Sequence, residues 1–202
     1  MKKNIILVSL SFMLFSCVGY RFTPEITKQE VIEFTNENGI DVNQIYILDS
    51  TYKKYIFSTT DSNVARRILQ PMQTIYFDSN DSVVAFNANC FANISYLTFN
   101  LQWNYEGIYD EFPPENNIFN LDVNGFINPE TIFKFTNKLT KTKLIDVVGK
   151  DKLFIFCGLM LERQSSHLIE EVHKMLEGVD ENEYQTYYII TDNMFGYRIY
   201  DE

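Results

Sequence analysis

The stretch 153–191 constrains the fold more than any other part of the chain. Leu153-Phe154-Ile155-Phe156-Cys157 opens an apolar run that continues to Leu161. That is the pattern of a strand buried on both faces, since a half-exposed strand alternates. Ser165 or Ser166 can then cap a helix that stops at Gly178, with Leu168, Ile169, Val172, Met175 and Leu176 as its core-facing stripe. Residues 186–191 return to strand-type sequence, rich in Tyr, Thr and Ile. Strand, helix and strand in that order make a βαβ unit, whose two strands run parallel in one sheet. Asp192-Asn193-Met194-Phe195-Gly196 reads as a turn and 197–200 as a last strand, which together predict a terminal hairpin.

The rest of the chain supplies more of both element types, so the expected class is α+β or α/β. Thr27 and Glu30 have capping-box spacing at the start of a helix over 24–38, and Asn38-Gly39 stops it. Residues 44–48 read as a short strand and 62–69 as a second helix, ended by Pro71. Residues 74–77 and 82–86 are β-prone and flank Asp78-Ser79-Asn80-Asp81, a hairpin signature. Partial alternation of Leu97, Phe99, Leu101 and Trp103 favours a strand over 96–105. Phe112-Pro113-Pro114-Glu115 is an extended polar break, and Asn128-Pro129-Glu130 starts another helix. The break divides an N-terminal α/β part (23–112) from a C-terminal part (118–202), or joins them within one continuous domain.

The strand, loop, helix and strand of 153–191 resemble the central βαβ unit of the thioredoxin-like fold, which many tethered envelope proteins of Gram-negative bacteria use. The resemblance implies a thioredoxin-like C-terminal half. The family's redox chemistry needs Cys-x-x-Cys at the helix start, where the helix N-terminus lowers the first thiol's pKa. Here that place holds Leu161-Glu162-Arg163-Gln164, Cys157 falls four residues early, and no proline follows Pro129 to serve as the fold's cis-proline. The site is expected to be redox-dead.

The N-terminus gives an address. Lys2 and Lys3 precede an apolar run over 5–15, and Leu14-Phe15-Ser16-Cys17 closes it. The run is too short to span a bilayer and leads into polar chain, as a secretory signal does. Leu-x-Ser-Cys resembles the lipobox of bacterial lipoproteins. Residues 1–16 would then be the signal peptide, Cys17 the lipidation site carrying diacylglyceryl and N-acyl (palmitate-type) chains, and 17–22 a tether. The absence of aspartate after Cys17, where Val18 stands, favours the outer over the inner membrane by family analogy. The formal charge is −10, and about −12 once Lys2 and Lys3 are removed. Phosphate backbones are held by Lys and Arg, so this balance excludes nucleic acid as a partner.

Chemistry-bearing residues are few. Cys90 and Cys157 remain after Cys17 is lipidated, and in an oxidising compartment they form either a disulfide or redox pair, or two buried thiols. His167 has helical spacing to Glu170 and Glu171, yet nothing announces further ligands, so no metal is expected; Glu170 with Lys174 reads better as a surface ion pair. Asp78, Asn80 and Asp81 fit a turn better than a calcium loop, which also needs a spaced Gly and a bidentate Glu. Asp110, Glu111 and Glu115 fit a solvated loop. No nucleophile elbow and no phosphate-binding glycine loop is present, and no cofactor is implied. The aromatic segment Tyr96–Phe112, with Tyr96, Phe99, Trp103 and Tyr105, offers either a glycan- or peptide-binding surface or one packed sheet face. The reading is a lipid-anchored, non-enzymatic envelope protein that binds another envelope component, with a thiol–disulfide protein as its alternative.

Overall fold

The computed structural model describes residues 25–88, 93–94, 101–104, 107–114, 127–140 and 149–200. β1 (Glu25–Thr27) leads directly into α1 (Lys28–Glu37). Thr27 Oγ1 accepts from the Glu30 N–H at 3.1 Å, and the Glu30 carboxylate accepts from the Thr27 N–H at 2.7 Å. The capping box therefore closes as its spacing predicts. Gly39, at φ +66°, turns the chain toward β2 (Ile45–Leu48).

Two helices follow, α2 (Thr51–Thr59) and α3 (Ser62–Ile68). Only α3 is foreseeable, because α2 is rich in β-prone aromatics and Ser50 makes no capping bond. Its first turn is held instead by Asp49, whose carboxylate accepts from the Thr51 N–H at 2.7 Å. Tyr52 and Ile56, four residues apart, give it one buried face.

β3 (Gln73–Phe77) and β4 (Val83–Ala88) are the expected antiparallel hairpin. Asp78 is a turn residue: its carboxylate accepts from the Asn80 and Ser82 N–H groups, both at 2.9 Å. Of the strand expected over 96–105, Leu101 and Gln102 form β6, paired with β5 (Asn93–Ile94). Trp103 and Asn104 form a turn, and the other residues of that stretch lie outside the described ones. α4 (Pro129–Lys134), capped by Asn128, runs into the short β7 (Thr136–Lys138). β8 (Asp151–Cys157), α5 (Glu162–Leu176) and β9 (Tyr184–Ile190) form the βαβ unit, and β10 (Arg198–Tyr200) comes last.

Six strands make one mixed sheet in the order β4-β3-β8-β9-β2-β7. β8, β9 and β2 are parallel, while the hairpin on one side and β7 on the other are antiparallel to their neighbours. Strands from both sides of Pro113-Pro114 interleave, so that segment is a connection within one sheet-building unit.

The central strands alternate between two apolar layers. Leu153, Ile155 and Cys157 of β8 pack with Val31 and Phe34 of α1 and with Leu168 and Val172 of α5. Phe154 and Phe156 pack with Tyr52 and Ile56 of α2, Ile68 of α3 and Ile132 of α4. Helices thus cover both faces, which is why these strands read as continuous apolar runs. The chain has the mixed α and β content expected from its sequence.

Two expectations are corrected. β10 does not form a hairpin with β9; it pairs in parallel with β1, with Arg198 opposite Glu25 and Tyr200 opposite Thr27. Both edges of β9 are already occupied by β8 and β2, and the 3₁₀ turn Asp192–Phe195, closed by Gly196 at φ +93°, carries the chain out of the sheet. The second concerns α5, which starts at Glu162 rather than being capped by Ser165 or Ser166. Ser165 lies inside the helix, where its hydroxyl bonds the backbone of Gly158.

Candidate functional site

In open α/β sheets the ligand usually sits beyond the carboxyl ends of the parallel strands. Here that end of the β8–β9 pair is filled by the protein's own polar groups. The fully buried Asp192 accepts from the N–H groups of Leu159 at 3.0 Å and Met160 at 2.8 Å. Ser165 Oγ accepts from the Gly158 N–H at 3.0 Å and donates to the Gly158 carbonyl at 2.9 Å. Thr191 Oγ1 donates to the carbonyl of Pro71 at 2.8 Å. Gly158 is required by closeness: a Cβ there would lie 2.8 Å from Asp192 Oδ2. Exposed backbone N–H groups before a helix make an anion site, and Asp192 occupies this one from within.

Cys157 ends β8 at this corner as a free, fully buried thiol. Burial pushes its pKa up, and the charge of Asp192 adds to that. A thiol reacts as its thiolate, so Cys157 lacks the exposure and lowered pKa that redox chemistry needs. Cys90 and Cys17 lie outside the described residues.

The opposite end of the strands is open. α5 runs antiparallel to β8 and β9, so its last turns lie over the start of β9. There, together with the turn after α1, they enclose a polar cavity of about 430 Å³. β9 contributes Tyr184, Thr186 and Tyr188, which share a face because strand side chains alternate. From α5, His173 and Leu176 reach it at i, i+3 spacing, followed by Glu177 just past the helix end. Gln44, Glu181 and Gln185 complete the wall.

At the floor, His173 Nε2 lies 2.7 Å from the Tyr188 hydroxyl. Burial lowers the His173 pKa and raises that of Tyr188, so both are held in their neutral forms. In that pairing the imidazole tautomer decides which partner donates. Tyr188 itself is 3% exposed, whereas Glu177 and Glu181 stand in solvent at the mouth. Neither Tyr188 nor the cavity stands out in the sequence. The signals present were the alternation Tyr184, Thr186, Tyr188 and the spacing of His173 and Leu176, both of which also fit an ordinary core.

Other sequence candidates fall elsewhere. Trp103 is buried at 5% exposure beneath α5, and its indole N–H donates to the Gln164 carbonyl at 3.1 Å. It is a core residue; Tyr96, Phe99 and Tyr105 lie outside the described residues. His167 does not join Glu170 and Glu171 in a ligand set, because both carboxylates pair with Lys174 at 2.9 and 3.0 Å. Among the described residues no group of three or more His, Cys, Asp or Glu side chains gathers as a metal site. None of the described helices is long and apolar enough to cross a membrane.

Compared with protein-family models, curated proteins and solved structures, the chain matches none.

Proposed function

We propose that the chain is a lipid-anchored protein of the bacterial cell envelope, with the outer membrane favoured, and that its domain is a binding or accessory module. The anchor reading rests on Lys2-Lys3, the apolar run over 5–15 and the Leu14-Phe15-Ser16-Cys17 ending. Two or more acyl chains on Cys17 hold a protein firmly at a bilayer, since each buried CH₂ contributes about 0.8 kcal/mol. Kinship of the C-terminal half to thioredoxin-like envelope lipoproteins belongs to the same proposal, and the βαβ unit supports it.

The observation that carries binding over thiol chemistry is the contrast between the two ends of the β8–β9 pair. Cys157, the thiol at the carboxyl end, is fully buried and lies before the helix start where a redox cysteine would sit, while a polar cavity lies at the other end. Growth with an alkyne-bearing fatty acid, followed by detection of label on the purified protein, tests the anchor. Wild type is expected to carry label and to fractionate with membranes, and Cys17→Ser is expected to lose both. Unlabelled protein released from the membrane fraction in the wild type would sink the reading.

A further inference from the structure

We propose that the cavity beneath the end of α5 binds a small organic amine in its ammonium form. This deepens the binding-module reading and rests on it. The cavity wall is rich in acceptors for a reason visible in its side-chain pairing. Gln44 Nε2 donates to Thr186 Oγ1 at 3.0 Å, and Gln185 Nε2 donates to the Thr186 carbonyl at 3.2 Å. A carbonyl oxygen only accepts, so that bond orients the Gln185 amide. The Gln185 amide thus commits an N–H to the protein and keeps its own oxygen to accept.

Glu177 and Glu181 add two carboxylates at the mouth, and no Lys or Arg lines the cavity among the described residues. Lys150, the cation recorded close by, donates to the backbone carbonyl of Glu181 at 3.2 Å. An ammonium group brings three donors and no acceptor, the complement of this wall. Leu176 offers an apolar surface to methylenes. His173, kept neutral by burial, places no competing charge at the floor. The volume lies in the range of small-molecule sites and suits a short aliphatic mono- or diamine.

The test is an NMR titration of the detergent-solubilised full chain with 1,4-diaminobutane and, separately, with 1,4-butanediol. Only two histidines exist, so His167→Gln assigns the His173 imidazole signal. The diamine is expected to shift that signal saturably and the diol to leave it in place. Glu177→Gln and Glu181→Gln, both at exposed positions, are each expected to weaken the diamine by about fivefold.

Equal saturation by the diol would overturn the amine in favour of a neutral hydroxylated ligand. No saturable shift, or unchanged affinity in the double glutamine variant, would overturn the site. Tighter binding of Nα-acetyl-lysine amide than of the diamine would overturn the free amine in favour of a peptide side chain. None of these outcomes touches fatty-acid labelling at Cys17, and loss of that label leaves the titration intact.

Discussion

The two ends of the β8–β9 pair are built from the same strands and the same helix, yet they do opposite things. At the carboxyl end, Asp192, Ser165 and Thr191 bond the backbone of residues 157–160 and of Pro71 and are themselves fully buried. At the amino end, His173, Tyr188 and Gln44 line a cavity whose mouth is charged and wet. A polar group sealed inside an α/β domain contributes to stability when every partner is satisfied. A polar group left at a cavity wall is available to a ligand. The location of a polar residue relative to the sheet ends, rather than its type, separates the two roles here.

That contrast can be broken first at Asp192. Asp192→Ala leaves the N–H groups of Leu159 and Met160 buried without their acceptor, at a cost of about 3 kcal/mol or more. Urea unfolding is expected to show a large drop in midpoint with the slope unchanged. A near-wild-type midpoint would mean that this end is as loosely held as the other.

Gly158→Ala should act next in size. Its φ of −167° suits any residue, so the cost arises from contact alone, the new Cβ pressing on Asp192 Oδ2 at 2.8 Å. A loss of about 1–3 kcal/mol is expected in the same assay, as for other overpacked sites. Combined with Asp192→Ala, the two effects should be markedly less than additive, because the second substitution removes the atom that the first one meets.

The smallest effect belongs to the open end. Burial lowers the His173 pKa below its unfolded value of 6.5, so the unfolded chain binds the extra proton first. This contribution to stability is fully present above pH 6.5 and is lost as the pH falls from there toward the folded value. The titratable groups that share the site are Glu177 from the end of α5 and Glu181 at the mouth, which are charged, and Tyr184 and Tyr188 on β9, which are neutral. Thermal unfolding between about pH 7.5 and 5.5 should therefore cost the wild type more Tm than His173→Gln. Equal losses would show that His173 is solvated as if it lay outside the cavity.

Local chemistry was legible wherever a few neighbouring residues decide an element. Thr27 and Glu30 close their box, Asn128 and Pro129 start α4, and Asp78 shapes the hairpin turn, each through bonds spanning four residues or fewer. The βαβ unit was legible because burial on both faces imposes a continuous apolar run on β8 and a stripe on α5. These features determined the mixed α and β class.

Pairings across long separations were not legible. β10 joins β1 because β9 has no free edge, a fact about the sheet rather than about residues 198–200. α2 escaped notice because Asp49 and one buried face override its aromatic composition. Ser165 reads as a cap and serves as a clamp, since Gly158 lies within its reach only once the 3₁₀ turn Leu159–Leu161 has formed.

Sequence alone thus determined which segments could be helix or strand and supplied the lipobox-like ending at Cys17, since both depend on order along the chain. Tertiary structure decided which polar groups are sealed and which are open. A carboxylate 32 residues from the amide it accepts meets its partner only through the parallel pairing of β8 with β9, and an imidazole 15 residues from its phenol only through the packing of α5 across the sheet.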